Sequence, residues 1–268
     1  MELRSSKDTS IRYHNIFDYK LTKKELVRWQ YKSQKIGVSK AWPTSLVKNK
    51  SRLQREKYSI KKLKIAKKAA KLLSKISTVK FIGITGALAM NNAGKNSDID
   101  LMMVTKKDTL WLTRLISYVF IWVFGFKTRK PENKDQKNAL CLNMWMDESD
   151  LIWDKKDRNI YTAHEIAQIV PIVNKDKIYE KFLCQNRWIL NYWPNAVKIN
   201  NPFQGENCKL KIVNSDLRFN ILEKIAYIFQ YRYMKAKMTR EVVTPTRAIF
   251  HPNDWGKMVL KKLELKPR

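Results

Sequence analysis

Glycine and proline are scarce, 7 and 8 in a chain of 268 residues. That excludes a collagenous, linker-rich or low-complexity protein. Acid is scarce as well: 24 Asp and Glu stand against 54 Lys and Arg, for a formal charge of +30. The three cysteines, Cys141, Cys184 and Cys208, are odd in number and far apart. They match neither a disulfide framework nor a zinc-binding pattern, which points to a reducing, cytoplasmic setting. The first residues carry no apolar h-region and do not read as a secretory signal. The most apolar run, residues 110–126, contains Arg114 and is followed by Lys127, Arg129 and Lys130. About 17 residues is the lower limit for crossing a bilayer, and an arginine at that depth is costly. The run reads as a buried helix packed on a sheet, with no membrane insertion.

At 44% hydrophobic and 11% aromatic, the chain can build a core, so wholesale disorder is excluded. Its length suits two modest domains or one with helical extensions. Lys outnumbers Arg roughly three to one, a bias that raises charge on every solvated face and is the weaker choice for bidentate phosphate recognition. The charge is uneven: residues 1–80 hold 23 Lys and Arg against 5 Asp and Glu, a net +18. That third is the expected contact for an RNA or DNA partner.

Two short helices are expected within residues 10–30, the second opened by Thr22 and Glu25 at capping-box spacing. The basic stretch 31–50 is a candidate recognition helix, wing or loop. From 55 to 76, Ile60, Leu63, Ala66, Ala70, Leu73 and Ile76 recur every three or four residues. Lys61, Lys62, Lys64, Lys67, Lys68, Lys71 and Lys75 decorate the remaining surface of this helix. Strands are expected at 79–85, 98–105 and 139–146, with the 110–126 helix between the last two. Helical segments follow at about 162–170, 176–193 and 216–238. The pattern predicts an α+β core sheet with helices, flanked by helical N- and C-terminal regions. The divisions are a basic segment 1–54, a core 55–150 with its leading helix, and a helical region 151–268.

The segment that carries chemistry runs from Ile84 to Val104. Asp98 and Asp100 are two apart in an apolar strand, so both carboxylates point to one side while Ile99, Leu101 and Met103 point to the other. Adjacent acids on one strand face repel unless a cation lies between them. Hard oxygen ligands select Mg²⁺ or Mn²⁺, which in turn bind nucleotide phosphates. Ahead of them the first strand ends in Gly86, where the missing Cβ lets backbone N–H groups approach a triphosphate.

This order resembles the signature of the nucleotidyltransferase superfamily typified by DNA polymerase beta: an apolar strand, Gly86-Ala87, a gap, then Asp98-Ile99-Asp100-Leu101. A wider resemblance is to uncharacterised bacterial proteins that carry a nucleotidyltransferase domain behind a winged-helix-like segment. It is carried by Phe17-Asp18-Tyr19, Arg55-Glu56-Lys57-Tyr58-Ser59, Leu140-Cys141-Leu142-Asn143 and Tyr161-Thr162-Ala163-His164-Glu165. The resemblance implies transfer of a nucleoside monophosphate from a nucleoside triphosphate to a hydroxyl on RNA, a small molecule or a protein. Mg²⁺ or Mn²⁺ would be held by Asp98 and Asp100, with Gly86, Ala87 and Lys95 near the triphosphate.

The chain departs from that family at two places. Ala87 stands where serine is common. The usual third carboxylate, on a later strand, aligns with Asn143, which can ligate through its amide oxygen but cannot act as a base. By alternation Asn143, Trp145 and Asp147 share a face, so the third group is Asn143, Asp147 by a shift of register, or absent. The rival reading is a nucleic-acid-binding protein with a decayed, inactive transferase core. His164 reads as a structural hydrogen-bonder, and Trp188, Tyr192 and Trp193 as core.

Overall fold

A computed structural model of the chain describes residues 6–32, 50–130, 135–199, 217–236, 238–239, 241–250 and 254–265. Nine α-helices and six strands lie among the described residues. They run α1 (Ser6–Asn15), α2 (Lys23–Arg28), α3 (Lys50–Leu73), β1 (Val79–Ile84), α4 (Gly86–Ala89), β2 (Ile99–Thr105), α5 (Leu110–Val123) and β3 (Leu140–Asp147). After these come α6 (Ile160–Ala167), β4 (Val170–Asn174), α7 (Ile178–Gln185), α8 (Leu217–Lys235), β5 (Val242–Thr244), β6 (Arg247–Ile249) and α9 (Trp255–Leu263).

The strands form one mixed sheet in the order β4-β1-β2-β3-β6-β5. Only β2 and β3 are parallel. They are joined through α5, as a parallel pair requires a crossover. The fold is α+β as expected, but the region after 150 is not helical alone: β4, β5 and β6 come from it and extend the sheet on both edges. Pro171 is tolerated in β4 because that strand is an edge, where a missing N–H is harmless.

Each face of the sheet has its own core. One face carries Phe81, Met102, Val104, Met144 and Met146 against Tyr13, Trp29, Ala163, Phe182, Trp193 and Val259 of α1, α2, α6, α7, α9 and their flanks. The other carries Ile82, Ile84, Ile99, Leu101, Met103 and Trp145 against Ala66, Ala70 and Leu73 of α3, Leu110 and Trp111 of α5, and Ala226 of α8.

The expected capping box of α2 is present, with Thr22 Oγ1 accepting from Glu25 N and Glu25 from Thr22 N. Glu25 does more than cap. It also accepts from Tyr19 Oη at 2.6 Å and from the buried Arg52 of α3 at 2.6 Å, which hold its carboxyl near 2 against the cost of burial. No wing strand occurs among the described residues of the N-terminal segment, and 33–49 lie outside them.

Periodicity placed the second half of α3 correctly, Ala66, Ala70, Leu73 and the following Ile76 being buried, but not its first half. Ile60 is exposed, while Arg52, Ser59 and Lys62 face inward. From Ser59 on, the inward residues recur at helical spacing, and each inward polar group has a hydrogen-bond partner. Of the three cysteines, Cys141 is free and buried, and Cys208 lies outside the described residues. No helix among the described residues is long and apolar enough to cross a membrane.

Candidate functional site

Gly86 turns the chain out of β1 at φ +60°, a left-handed conformation that favours glycine. A Cβ there would lie 2.6 Å from Asp100 Oδ2, so the turn and the carboxylate are in van der Waals contact only because no side chain intervenes. The backbone ties them further, Thr85 N donating to Asp100 O at 3.1 Å.

The loop leading to Asp98 is fastened from α3. Ser59 Oγ accepts from Ala93 N at 3.1 Å. The Lys62 ammonium, 1% exposed, donates to Ser97 O at 2.6 Å and to Asn138 Oδ1 at 2.9 Å. Asn92 donates to Phe17 O at 3.0 Å, joining the same loop to the N-terminal segment.

Asp98 and Asp100 emerge on one face of β2, with ligand atoms within 4.8 Å of each other and of Cys141 Sγ. Two cationic or amide donors meet them. Arg129 Nη1 donates to Asp98 Oδ2 at 3.0 Å and lies 3.6 Å from Cys141 Sγ. Asn143 Nδ2 donates to Asp100 Oδ1 at 2.8 Å. Arg129 is held over this spot because the backbone around it pairs with the start of β3, Leu140 N to Lys127 O and Arg129 N to Leu140 O.

Electrostatics follow from the crowding. Burial, then the Asp98 charge, pushes the Asp100 carboxyl up to about 7, with Arg129 opposing. Burial, then both carboxylates, pushes the Cys141 thiol up.

Asn143 reaches Asp100 by a route that alternation missed. Asp100 pairs with Cys141 and Met102 with Met144, so β3 spends three residues where β2 spends two. This bulge changes the phase of the strand. Asn143 lies on the Asp100 side, whereas Trp145 is in the core of the opposite face. Asp147 pairs with Thr105 at the far end of β3 and accepts from Asp108 N at 2.6 Å and from Ser149. It therefore does not join the cluster. Lys95 is exposed and does not line the cavity; its carbonyl merely accepts from Lys62.

Asp100 lines a cavity of about 370 Å³, whereas Asp98 does not. Its walls include Gly86, Ala87, Asp100, Arg129 and Asn143, together with His14, Phe17 and Tyr19 of the N-terminal segment and Tyr161, His164 and Glu165 of α6. A larger hollow of about 610 Å³, between α9 and the start of α6, shares Tyr161 and Trp255 with it.

Glu165 and Arg129 are site residues that sequence reasoning passed over. Burial, then the Asp100 charge, pushes the Glu165 carboxyl up to about 8. Its Oε1 accepts from Gln168 Nε2 at 2.7 Å. A search for the third acid on a strand could not find one on a helix; the only signal was its place in the quoted Tyr161-to-Glu165 stretch. His164 is buried as expected, with Nε2 3.1 Å from His14 Nε2, and burial lowers both rings, that of His14 to about 4.

The donor set suits a hard divalent cation. It comprises the two carboxylates; Asn143 meets Asp100 through Nδ2, and its Oδ1 is buried and accepts no hydrogen bond among the described residues. A thiol kept protonated by its neighbours, as Cys141 is, suits such an ion poorly as a ligand. No protein-family model matches this chain, and no curated protein matches it.

Proposed function

We propose that the protein is a nucleotidyltransferase that moves a nucleoside monophosphate from a nucleoside triphosphate to an acceptor hydroxyl. The observation that carries this is the contact between a glycine turn and a carboxylate in the wall of a cavity, Gly86 against Asp100, with the Asp98 carboxylate close behind it.

Asp98 and Asp100 would hold Mg²⁺ or Mn²⁺, which supplies neutralisation of phosphate charge. Gly86 and Ala87 leave the turn without a bulky side chain, so phosphate oxygens can come close to the backbone. Arg129, already against Asp98, is placed to meet phosphate oxygens as well. The acceptor oxygen attacks the α-phosphorus, a new P–O bond forms, the bond to the β-phosphate bridging oxygen breaks, and pyrophosphate leaves. Glu165, the other carboxylate lining the cavity, receives the hydroxyl proton in its ionised form, which predominates only above about pH 8.

Incubation of the full chain with α-labelled nucleoside triphosphates, Mg²⁺ and cellular RNA or metabolite pools should yield a labelled product. Asp98→Ala/Asp100→Ala should abolish it, and label that persists in the double variant would sink the proposal. The second reading, a nucleic-acid-binding protein with an inactive core, is favoured by Asn143, an amide donor to Asp100 where a carboxylate would be expected. Exposed Lys57, Lys61, Lys64, Lys67, Lys68 and Lys71 of α3, with Lys75 just after it, would then carry the contact. No transfer with any pool, together with steeply salt-sensitive retention of RNA, would establish that reading instead.

A further inference from the structure

Helix α8 is built inside out. Its inward face is polar: Glu223 and Gln230 are buried with Ala226 between them. Glu223 accepts from Trp111 N at 2.6 Å and Leu112 N at 2.8 Å, so it caps the N-terminus of α5, whose own Thr109 makes no side-chain cap. Gln230 donates to Trp111 O at 2.8 Å and accepts from Arg114 at 2.5 Å. The outward face is apolar, with Ile221, Leu222, Ile225, Ile228 and Phe229 all exposed, Phe229 by 67%.

The C-terminal end of α5, beyond the Trp111-to-Arg114 stretch that α8 binds, is apolar and exposed as well. Val119, Trp122, Val123 and Phe124 are exposed, Trp122 by 79%. An ordinary surface helix turns its apolar stripe to the core. Here α8 turns its stripe to the outside, and α5, apolar on its core side as well, exposes a second one, surface of the kind that marks an interaction site.

The charges around the patch select its occupant. Together α5 and α8 contain one acid, Glu223, and it is turned inward. The outward charges of α8 are Lys224, Arg232 and Lys235, and Lys127 and Lys130 follow α5. An apolar face bearing an exposed tryptophan, with Lys224, Arg232, Lys235 and Lys130 around it and one exposed acid, Asp135, paired with Lys127, has the composition of an interfacial helix lying on an anionic bilayer. Nucleic acid would match the cations but leave the apolar residues in water.

The placement leaves the candidate active site free. Both helices cover the sheet face that carries Ile84, Leu101 and Trp145, whereas the cavity opens on the face that carries Met102 and Met144. We infer that the outer surface of α5 and α8 docks the protein on an anionic membrane surface, with the cavity turned away from the lipid. This goes beyond the transferase proposal and stands without it.

The test is flotation of the full chain with vesicles of phosphatidylcholine alone or mixed with phosphatidylserine. Binding should favour the anionic vesicles, weaken with salt, and fall about fivefold for each of Lys224→Gln and Arg232→Gln, given roughly one cation's contribution at such a surface. Trp122→Ser/Phe229→Ser should reduce it at least about tenfold, whereas Ile152→Ser, an exposed apolar change outside the patch, should leave it unchanged. Because surface changes could in principle disturb packing, Trp122→Phe gives an independent reading. Brominated lipids should quench the fluorescence of the wild-type chain more than that of this variant. Absence of vesicle binding, binding indifferent to the patch variants, or a concentration-dependent dimer abolished by those variants with no lipid binding would each overturn the inference.

Discussion

Replacing Gly86 by alanine isolates the contact on which the candidate site rests, because two separate costs add at that position. Alanine at φ +60° is disfavoured by roughly 1–2 kcal/mol. The new Cβ would also fall 2.6 Å from Asp100 Oδ2, so the carboxylate must swing away. Doing so breaks its 2.8 Å bond from Asn143, a charge-assisted hydrogen bond worth about 1.5–3 kcal/mol. The expected loss is therefore about 3–5 kcal/mol.

Two other glycines separate these costs. Gly125 has φ +69° with nothing within 4 Å of its Cβ position, so Gly125→Ala should show the conformational cost alone. Gly94 has neither, and Gly94→Ala should be neutral or up to about 1 kcal/mol stabilising. Urea unfolding followed by circular dichroism measures all three. In an Asp100→Ala background the clash disappears, and Gly86→Ala should then cost no more than Gly125→Ala does. A Gly86→Ala loss no larger than that of Gly125→Ala in the wild-type background would refute the argument.

Glu165→Gln tests the second acid of the cavity. A carboxyl raised to about 8 binds more protons folded than unfolded, so wild-type stability falls as pH rises from the ordinary carboxylate range through about 8. The variant should lose much of that slope and be the more stable protein above the window, by on the order of 2 kcal/mol after discounting for its partial exposure. An unchanged slope in urea midpoints would remove Glu165 from the account. Lys62→Met keeps the stem but strands Ser97 O and Asn138 Oδ1, costing about 2–3 kcal/mol. Amide exchange at residues 95–98 should rise selectively; equal protection there would mean that Lys62 does not fasten the loop.

The parts of the fold legible in the sequence are those set by local pattern. β1 and β2 are apolar runs bounded by Gly86 and by polar loop residues, and α5 is an apolar run too long for a strand. β4 was hidden because Pro171 reads as a loop marker until the strand is known to lie at an edge. β5 and β6 are three residues each, too short for a period. The acid pair was legible because alternation puts residues two apart on one face whatever the neighbours do. Asn143 was legible through the resemblance, but its separation from Trp145 and Asp147 was not, since a bulge depends on how two strands pair and leaves no trace in either strand's own sequence. The inward Lys62 and the inverted α8 were hidden for a related reason. Periodicity gives the existence of two faces, while partners elsewhere in the chain decide which one is buried.

That dependence on distant partners also changes what the basic N-terminal segment is. Tyr13, His14, Phe17 and Tyr19 line the cavity, Trp29 packs on His164 with ring centroids 4.1 Å apart, and Asn92 of the loop before Asp98 binds Phe17 O. The segment is thus a wall of the site. A second part of the wall, Tyr161 to Glu165, comes from α6, beyond the boundary expected at 150, and packs against the first through His14 and His164. Arg129 and Asp100 come from the core segment. A chain cut to residues 55–150 would keep the carboxylates but lose both parts of that wall, along with the burial that raises Asp100. Whatever ligand the cavity takes, its contacts are distributed over all three segments.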